Sequence, residues 1–117
     1  MIRNKFDLAA AHVFYVCKKE KKLLLLDSIK QAILGGLYYN GETSKNDVID
    51  VWGRRSRLIP PVLEEIIKAG YVDQSYGSAV LYTINERGIE QLKEYGLLSE
   101  LTERRLEEKR AELEEMF

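Results

Sequence analysis

Residues 44–88 constrain the fold of this chain more than any other segment, because they carry several start and stop signals in close succession. Ser44 and Asp47 form a weak capping box that predicts the start of a short helix. Gly53 predicts the turn that ends this helix, since glycine readily adopts a left-handed backbone. A second helix follows, and Gly70 predicts its C-terminal end. The segment therefore indicates two short helices joined by a tight turn.

A β-hairpin is predicted directly after these two helices. Residues 71–74 and 79–84 are rich in β-branched and aromatic side chains, and residues 75–78 have the composition of a hairpin turn. Asn85 then predicts the cap of a helix that begins at Glu86. The expected fold is mainly α with a small antiparallel β-hairpin, in the α+β class.

Two amphipathic helices are predicted before this segment. Residues 5–18 place apolar side chains at spacings of three and four, with Asp7 as the expected cap. Residues 23–39 repeat the pattern, and Gly35 and Gly36 within them predict a close helix crossing, because glycine costs a helix about 1 kcal/mol relative to alanine. The expected buried face of the second helix comprises Leu26, Ile29, Ile33 and Leu37.

The length and composition of the chain fit a single domain, residues 1–117, with 45% hydrophobic and 32% charged residues. Cys17 is the only cysteine, which excludes an intrachain disulfide and favours a reducing compartment. The longest apolar stretch, residues 8–17, contains His12 and is too short to span a bilayer. Residues 1–7 show no secretory leader pattern. We therefore expect a cytoplasmic protein with no membrane partner.

The net charge of −1 is unevenly distributed along the chain. Residues 1–85 carry 12 Lys and Arg against 9 Asp and Glu, a net of +3, and residues 86–117 carry 6 against 10, a net of −4. This asymmetry weakly favours a basic, nucleic-acid-facing body with an outward assembly helix. The lysine-rich run 18–22 is typical of a solvated joint, with phosphate binding as the alternative.

The central segment resembles the winged helix-turn-helix regulators of the MarR/PadR type. In those sequences a glycine in the turn precedes a recognition helix. That helix ends in a pattern like L-x-x-x-G followed by a hydrophobic residue. Gly53 and residues 66–72 match both ends of that pattern. An aromatic residue, a cap and a glycine usually follow the wing, and residues 82–88 are similar, with Asn85 in place of the usual threonine.

The resemblance covers residues 27–94 and implies a winged helix-turn-helix with additional N- and C-terminal helices. Residues 1–26 and 95–117 are then the candidates for dimerisation. Both belong to the same single domain.

The resemblance also implies where duplex DNA binds. Three arginines within residues 54–57 lie at the entry to the recognition helix, where guanidinium groups contact phosphates or guanines. Two further residues open the preceding helix, and two lie at the wing. The alternatives are a solvated basic turn and an ordinary hairpin aromatic residue. The expected DNA-binding residues are Lys45, Asn46, Arg54, Arg55, Ser56, Arg57, Tyr76 and Ser78.

Three features depart from the family pattern. Pro60 and Pro61 lie where the family usually places groove-facing polar residues. Because neither proline has an amide hydrogen, both fit only in the first turn of a helix. This predicts that the helix starts at 57–59. Glu64 and Glu65 follow on the exposed side, where carboxylates repel phosphates. The hairpin turn carries no Lys or Arg. Base readout is therefore less strongly indicated than the fold.

The terminal helices, 5–18 and 99–117, resemble those that form the dimer in these regulators. Two-fold pairing would place two recognition helices about one DNA turn apart, so that a palindromic site is read twice. Lys109 interrupts the apolar stripe of the last helix, and the alternative for its leucines is packing onto their own domain. The expected dimer residues are Phe6, Val13, Phe14, Leu98, Leu101, Leu106 and Leu113.

The leading hypothesis is a dimeric DNA-binding transcriptional regulator, a repressor that acts by promoter occupancy. The rival is a winged-helix protein-interaction module in transcription or replication machinery. An enzyme is not expected, because His12 and Cys17 are the only residues of their kinds and a spacing of five places them off one helical face. We expect His12 to be partly buried and Cys17 to be a small core residue, with a redox-sensing thiol as the alternative. No cofactor or metal site is predicted.

Overall fold

Six α-helices, three short π or 3₁₀ turns and a small three-stranded antiparallel sheet make up the computed structural model, which describes residues 1–117. The helices are α1 (Lys5–Tyr15), α2 (Leu25–Asn40), α3 (Lys45–Ile49), α4 (Ile59–Lys68), α5 (Glu86–Glu94) and α6 (Glu103–Met116). The strands are β1 (Thr43–Ser44), β2 (Val72–Tyr76) and β3 (Val80–Ile84). The expectation of a mainly helical α+β fold is confirmed. None of the helices combines enough length with enough apolar content to cross a bilayer.

The sheet has the order β1-β3-β2, so β1 extends the predicted hairpin by a third strand. Thr43 of β1 and Gln74 of β2 flank Tyr82 of β3, which is buried. β1 is too short to produce an alternating pattern, which is why the sequence did not predict it.

The hairpin turn begins two residues later than predicted and ends one residue later. Ser75 and Tyr76 continue the pairing of β2, opposite Leu81 and Val80, so the turn comprises residues 77–79. Serine and tyrosine occur both in strands and in turns, so cross-strand pairing rather than residue type decides between the two.

α1 and α2 cross closely at Gly35 and Gly36, as the sequence predicts. A Cβ atom at Gly35 would lie 2.6 Å from Cγ2 of Val13, and one at Gly36 would lie 2.6 Å from the ring of Phe6. Only glycine allows this separation of the two helices. Every residue from 6 to 13 of α1 is buried, so α1 forms the centre of the core.

Side-chain caps begin four of the helices, α1, α3, α5 and α6. Ser44 Oγ accepts a hydrogen bond from the amide of Asp47 at 3.2 Å, and Asn85 Oδ1 accepts one from the amide of Gly88 at 3.2 Å, as predicted. Thr102 caps α6, whose expected start at Ser99 is wrong because residues 98–100 form a separate 3₁₀ turn.

The cap predicted for α1 is also wrong. Asn4 Oδ1, rather than Asp7, accepts from the helix by binding the amide of Asp7 at 2.8 Å. The carboxylate of Asp7 instead pairs with the guanidinium of Arg3 at 2.8 Å. An acidic residue in the first turn also complements the helix dipole, which explains why the sequence signal did not identify the cap.

The start of α2 differs from the expectation as well. The helix begins at Leu25, and Leu24 occupies the N-cap position without a side-chain hydrogen bond. Leu26 was predicted on the buried face, but 53% of its surface is exposed. The rest of that face is correct, because Ile29, Ile33 and Leu37 are buried.

Candidate nucleic-acid interface

The turn between α3 and α4 is anchored to the core by Trp52. Trp52 and Gly53 both adopt positive φ angles, 60° and 74°, which reverse the chain. The indole Nε1 of Trp52 donates a hydrogen bond to the backbone oxygen of Asp7 at 3.0 Å. Its ring packs edge-on against Phe14, with the centroids 5.5 Å apart. These contacts hold the base of the turn in place and fix where the following residues emerge.

The arginines after this turn point outward. Arg54, Arg55 and Arg57 are all exposed, and only Arg55 forms a salt bridge, through Nε to Asp50 Oδ1 at 2.7 Å. The hydroxyl of Ser56 is engaged locally, since its Oγ accepts from the amide of Leu58 at 3.2 Å. The turn thus presents three guanidinium groups to solvent from a short, anchored loop.

The structure brings a second group of expected DNA-binding residues together. Lys45 and Asn46 are exposed at the start of α3, and they line a shallow groove with Ser78 of the hairpin turn. The pairing of Ser44 with Leu81 explains this contact, because it fixes the start of α3 beside β3. The arginine turn follows the other end of α3, so the expected residues form two groups rather than one continuous patch.

Tyr76 lies at the end of β2 and is 74% exposed. Its hydroxyl donates a hydrogen bond to Gln74 Oε1 at 2.9 Å. Because about three-quarters of its surface is exposed, the side chain can contact a ligand at the hairpin.

The exposed face of α4 is poor in positive charge. The helix begins at Ile59, as the prolines predicted, and Pro60 and Pro61 are exposed in its first turn. Glu64 and Glu65 follow on the same exposed surface. Their carboxylates pair with Lys68 at 3.5 Å and with Lys30 at 3.3 Å. These pairs reduce the repulsion that α4 would exert on a phosphate, but they leave no unpaired cation on the helix.

Five of the seven residues expected at a dimer interface lie in the core of the single chain. The expectation that they face a second copy is corrected by their burial, because a side chain without exposed surface cannot contact another molecule in this conformation. Their packing matches the alternative of a terminal helix folded onto its own domain, and α6 indeed packs against α1. Phe14 and Leu98 retain partial exposure. The buried five are Phe6, Val13, Leu101, Leu106 and Leu113.

His12 is buried, rather than partly buried as expected, and it joins α1 to the start of α6. Its Nε2 lies 2.9 Å from Oε1 of Glu100, and its Nδ1 has no hydrogen-bond partner. Glu100 also accepts from Nε of Arg105 at 3.1 Å. The hydrogen bond from Arg105, followed by that from His12, lowers the pKa of Glu100 below its ordinary value, against the opposing effect of burial. This cluster is placed to hold the C-terminal helix.

Cys17 is a core residue, as expected. Burial raises the pKa of its thiol to about 11, although the charge of Lys21 acts in the opposite direction. The nucleophilic thiolate is therefore scarce at neutral pH. No group of three or more His, Cys, Asp or Glu side chains is arranged to hold a metal ion.

The sequence analysis missed an apolar groove beside the arginine turn. The groove measures about 200 Å³ and lies between the starts of α2 and α4, where Leu25 and Leu58 are both partly exposed. Arg54 is among the residues that line it. The only sequence signal for it was the run of leucines at residues 23–26, of which the spacing placed only Leu26 on the buried face.

Comparison with known protein families, curated proteins and solved structures finds no match to this chain.

Proposed function

We propose that this protein is a winged helix-turn-helix regulator that binds duplex DNA, with Arg54, Arg55 and Arg57 on the phosphates. The observation that carries the proposal is the exposure of all three arginines in a segment that Trp52 anchors to the core. An anchored loop loses little conformational entropy when its arginines bind. In the proposed regulator, two copies occupy a palindromic promoter site and so block transcription.

The order of elements supports this proposal. Two short helices joined by a glycine turn precede a hairpin, and a capped helix follows. On this mapping α4 is the recognition helix and β2–β3 is the wing. The groove that Lys45 and Asn46 share with Ser78 gives the start of α3 and the wing a common exposed surface.

Phosphate contacts dominate the proposed mode of binding. The exposed face of α4 offers prolines and carboxylates, whereas guanine recognition needs Arg or Lys in the groove. Glutamate can accept a hydrogen bond from cytosine, so Glu64 and Glu65 restrict readout without abolishing it. The proposed complex therefore depends strongly on salt and has modest sequence selectivity.

A selection from random duplexes at low salt, followed by titration of the recovered sites, tests the proposal. Single Ala substitutions at Arg54, Arg55 and Arg57 should each weaken binding about fivefold, or about 1 kcal/mol. The slope of log affinity against log salt should fall by about 0.9 for each phosphate that a variant leaves without its arginine. Arg104→Ala is the matched control, because Arg104 is an exposed arginine on α6. The proposal fails if no duplex is enriched, or if Arg104→Ala weakens binding as much.

A protein-interaction module is the second candidate, and the surface of α4 favours it. The exposed Pro60, Pro61, Glu64 and Glu65 suit a basic protein surface better than a phosphate backbone. This function predicts no enriched duplex and a complex that Arg57→Ala leaves intact. Substitution of Glu64 and Glu65 by lysine would then remove the complex, whereas it would strengthen DNA binding.

A further inference from the structure

Three consecutive leucines are uncovered at the start of α2. Leu24 is 75% exposed, Leu25 45% and Leu26 53%. A single exposed leucine is ordinary, but a contiguous group of large aliphatic side chains marks an interaction site. We refer to residues 24–26 as the leucine tip.

A cluster of lysines directly precedes the leucine tip. Lys19, Lys21 and Lys22 are exposed, and Nζ of Lys18 donates to the backbone oxygen of Leu23 at 3.1 Å. The backbone of Lys22 is left-handed, with φ of 56°, and turns the chain from this cluster into α2. We refer to residues 18–22 as the lysine collar. Glu20 and Asp27 are the acidic residues in and beside it, so the whole region is cationic.

Local stability does not explain why a leucine begins α2. The N-cap position strongly favours Ser, Thr, Asp or Asn, whose side chains accept a hydrogen bond from the first turn. Leu24 occupies that position and makes no such bond. Because it is also three-quarters exposed, core packing does not explain it either. Its side chain is therefore available to a partner outside the chain.

We propose that the leucine tip inserts into the surface of a phospholipid bilayer with anionic headgroups, while the lysine collar binds those headgroups. Successive side chains at a helix start point about 100° apart, so the three leucines cover a wide arc. A flat, rigid partner reaches only part of that arc, whereas the fluid interface of a bilayer surrounds it. Apolar burial and attraction to anionic lipids together give reversible surface binding.

Other partners match only half of this surface. Two copies paired symmetrically through the tip would bring two lysine collars together, and like charges repel. Duplex DNA would neutralise the lysines but would leave the leucines in water. The sequence argument against a membrane partner concerned a spanning segment, and surface binding needs none.

Flotation of the full chain with lipid vesicles tests the inference without any nucleic acid, so its outcome is independent of the proposed DNA binding. The protein should float with vesicles of phosphatidylcholine mixed with phosphatidylserine, and not with phosphatidylcholine alone. High salt should release it. Exchanging Lys19 and Lys21 for glutamate should weaken binding by at least about twenty-fivefold, since each of the two lysines contributes about fivefold near an anionic surface.

Leu24→Ser is the decisive variant. Serine at an N-cap stabilises a helix, so the variant should fold at least as well as the wild type. Its vesicle affinity should nevertheless fall about tenfold, because it removes most of an exposed leucine side chain. Met116→Ser is the matched control, since Met116 is a large apolar residue 43% exposed at the end of α6, and it should float like the wild type.

Three outcomes would overturn the inference. The first is no flotation with either vesicle, and the second is flotation of Leu24→Ser equal to that of the wild type. The third is a dimer in sedimentation equilibrium that Leu24→Ser dissociates, which would assign the leucine tip to a second copy.

Discussion

Replacing Gly36 by alanine tests whether the close approach of α1 and α2 determines the core. In most exposed helix positions this change stabilises the protein by about 1 kcal/mol, because alanine is the better helix former. At Gly36 the added Cβ would lie 2.6 Å from Cδ1 and Cε1 of Phe6, and 3.1 Å from the backbone oxygen of the same residue. Phe6 is completely buried, so its ring has no open space to move into. The two effects therefore oppose each other.

The clash should outweigh the gain in helix propensity. Overpacking a core by one carbon costs about 1–3 kcal/mol, and the contact with backbone oxygen places Gly36 at the upper end of that range. Subtracting the propensity gain of about 1 kcal/mol leaves a net loss of about 2 kcal/mol. For a domain of this size we expect the melting temperature to fall by about 8 °C.

Urea unfolding followed by far-ultraviolet circular dichroism measures this loss directly, with the m-value as a check that unfolding remains two-state. Gly77→Ala is the control, because nothing lies within 4 Å of the Cβ that it would add. Its free energy of unfolding should stay within about 0.5 kcal/mol of the wild type, as for other surface substitutions. Equal or greater stability of Gly36→Ala would refute the packing argument.

Three further predictions follow from the titratable groups and from α4. The lowered pKa of Glu100 means that its carboxylate stabilises the fold above its ordinary pKa near 4.5, and that this stability is lost as the pH falls through the folded-state pKa. Glu100→Gln should therefore destabilise the protein more at neutral pH than in acid. Urea titrations at both pH values will measure the difference. The pKa of Cys17, raised from 9.0 to about 11, should slow the reaction of its thiol with a disulfide reagent about a hundredfold relative to the unfolded chain. It should also reduce the stability of the protein as the pH rises from 9.0 towards 11. Equal labelling rates for the folded and unfolded chain would contradict the burial of Cys17. Glu64→Gln should strengthen duplex binding about threefold by removing a negative charge from the exposed face of α4, whereas Glu112→Gln on α6 should not change it.

Local signals in the sequence were sufficient to place most elements of the fold. The caps Ser44 and Asn85 bind backbone amides three residues away, and the paired glycines of α2 allow close contact with an adjacent helix. In each case the residue type alone is enough to predict the local structure. Asp7 shows where this reasoning stops. An acidic residue near a helix start satisfies either a cap or an ion pair, and here the neighbouring Arg3 decides for the ion pair.

The five buried residues that were expected at a dimer interface were misassigned for a different reason. An apolar stripe on a terminal helix has the same spacing whether it packs onto its own domain or onto a second copy. The C-terminal helix has a specific inward attachment, because Glu100 at its entry bonds to the buried His12 of α1. Such a contact spans most of the chain, and neither residue alone indicates its partner.

The leucines at the start of α2 show a second limit of periodicity. Spacing groups Leu26 with Ile29 and predicts a shared buried face, but it contains no information on how far the neighbouring elements extend along the helix. At the start of α2, Leu24, Leu25 and Leu26 stay exposed, and burial begins at Ser28. Leu24 occupies an N-cap position that favours a polar residue, and its side chain makes no capping hydrogen bond. Because it is also exposed, core packing does not explain it either. Periodicity therefore predicts which residues share a face, whereas the exposure of each residue shows which part of that face the rest of the fold leaves uncovered.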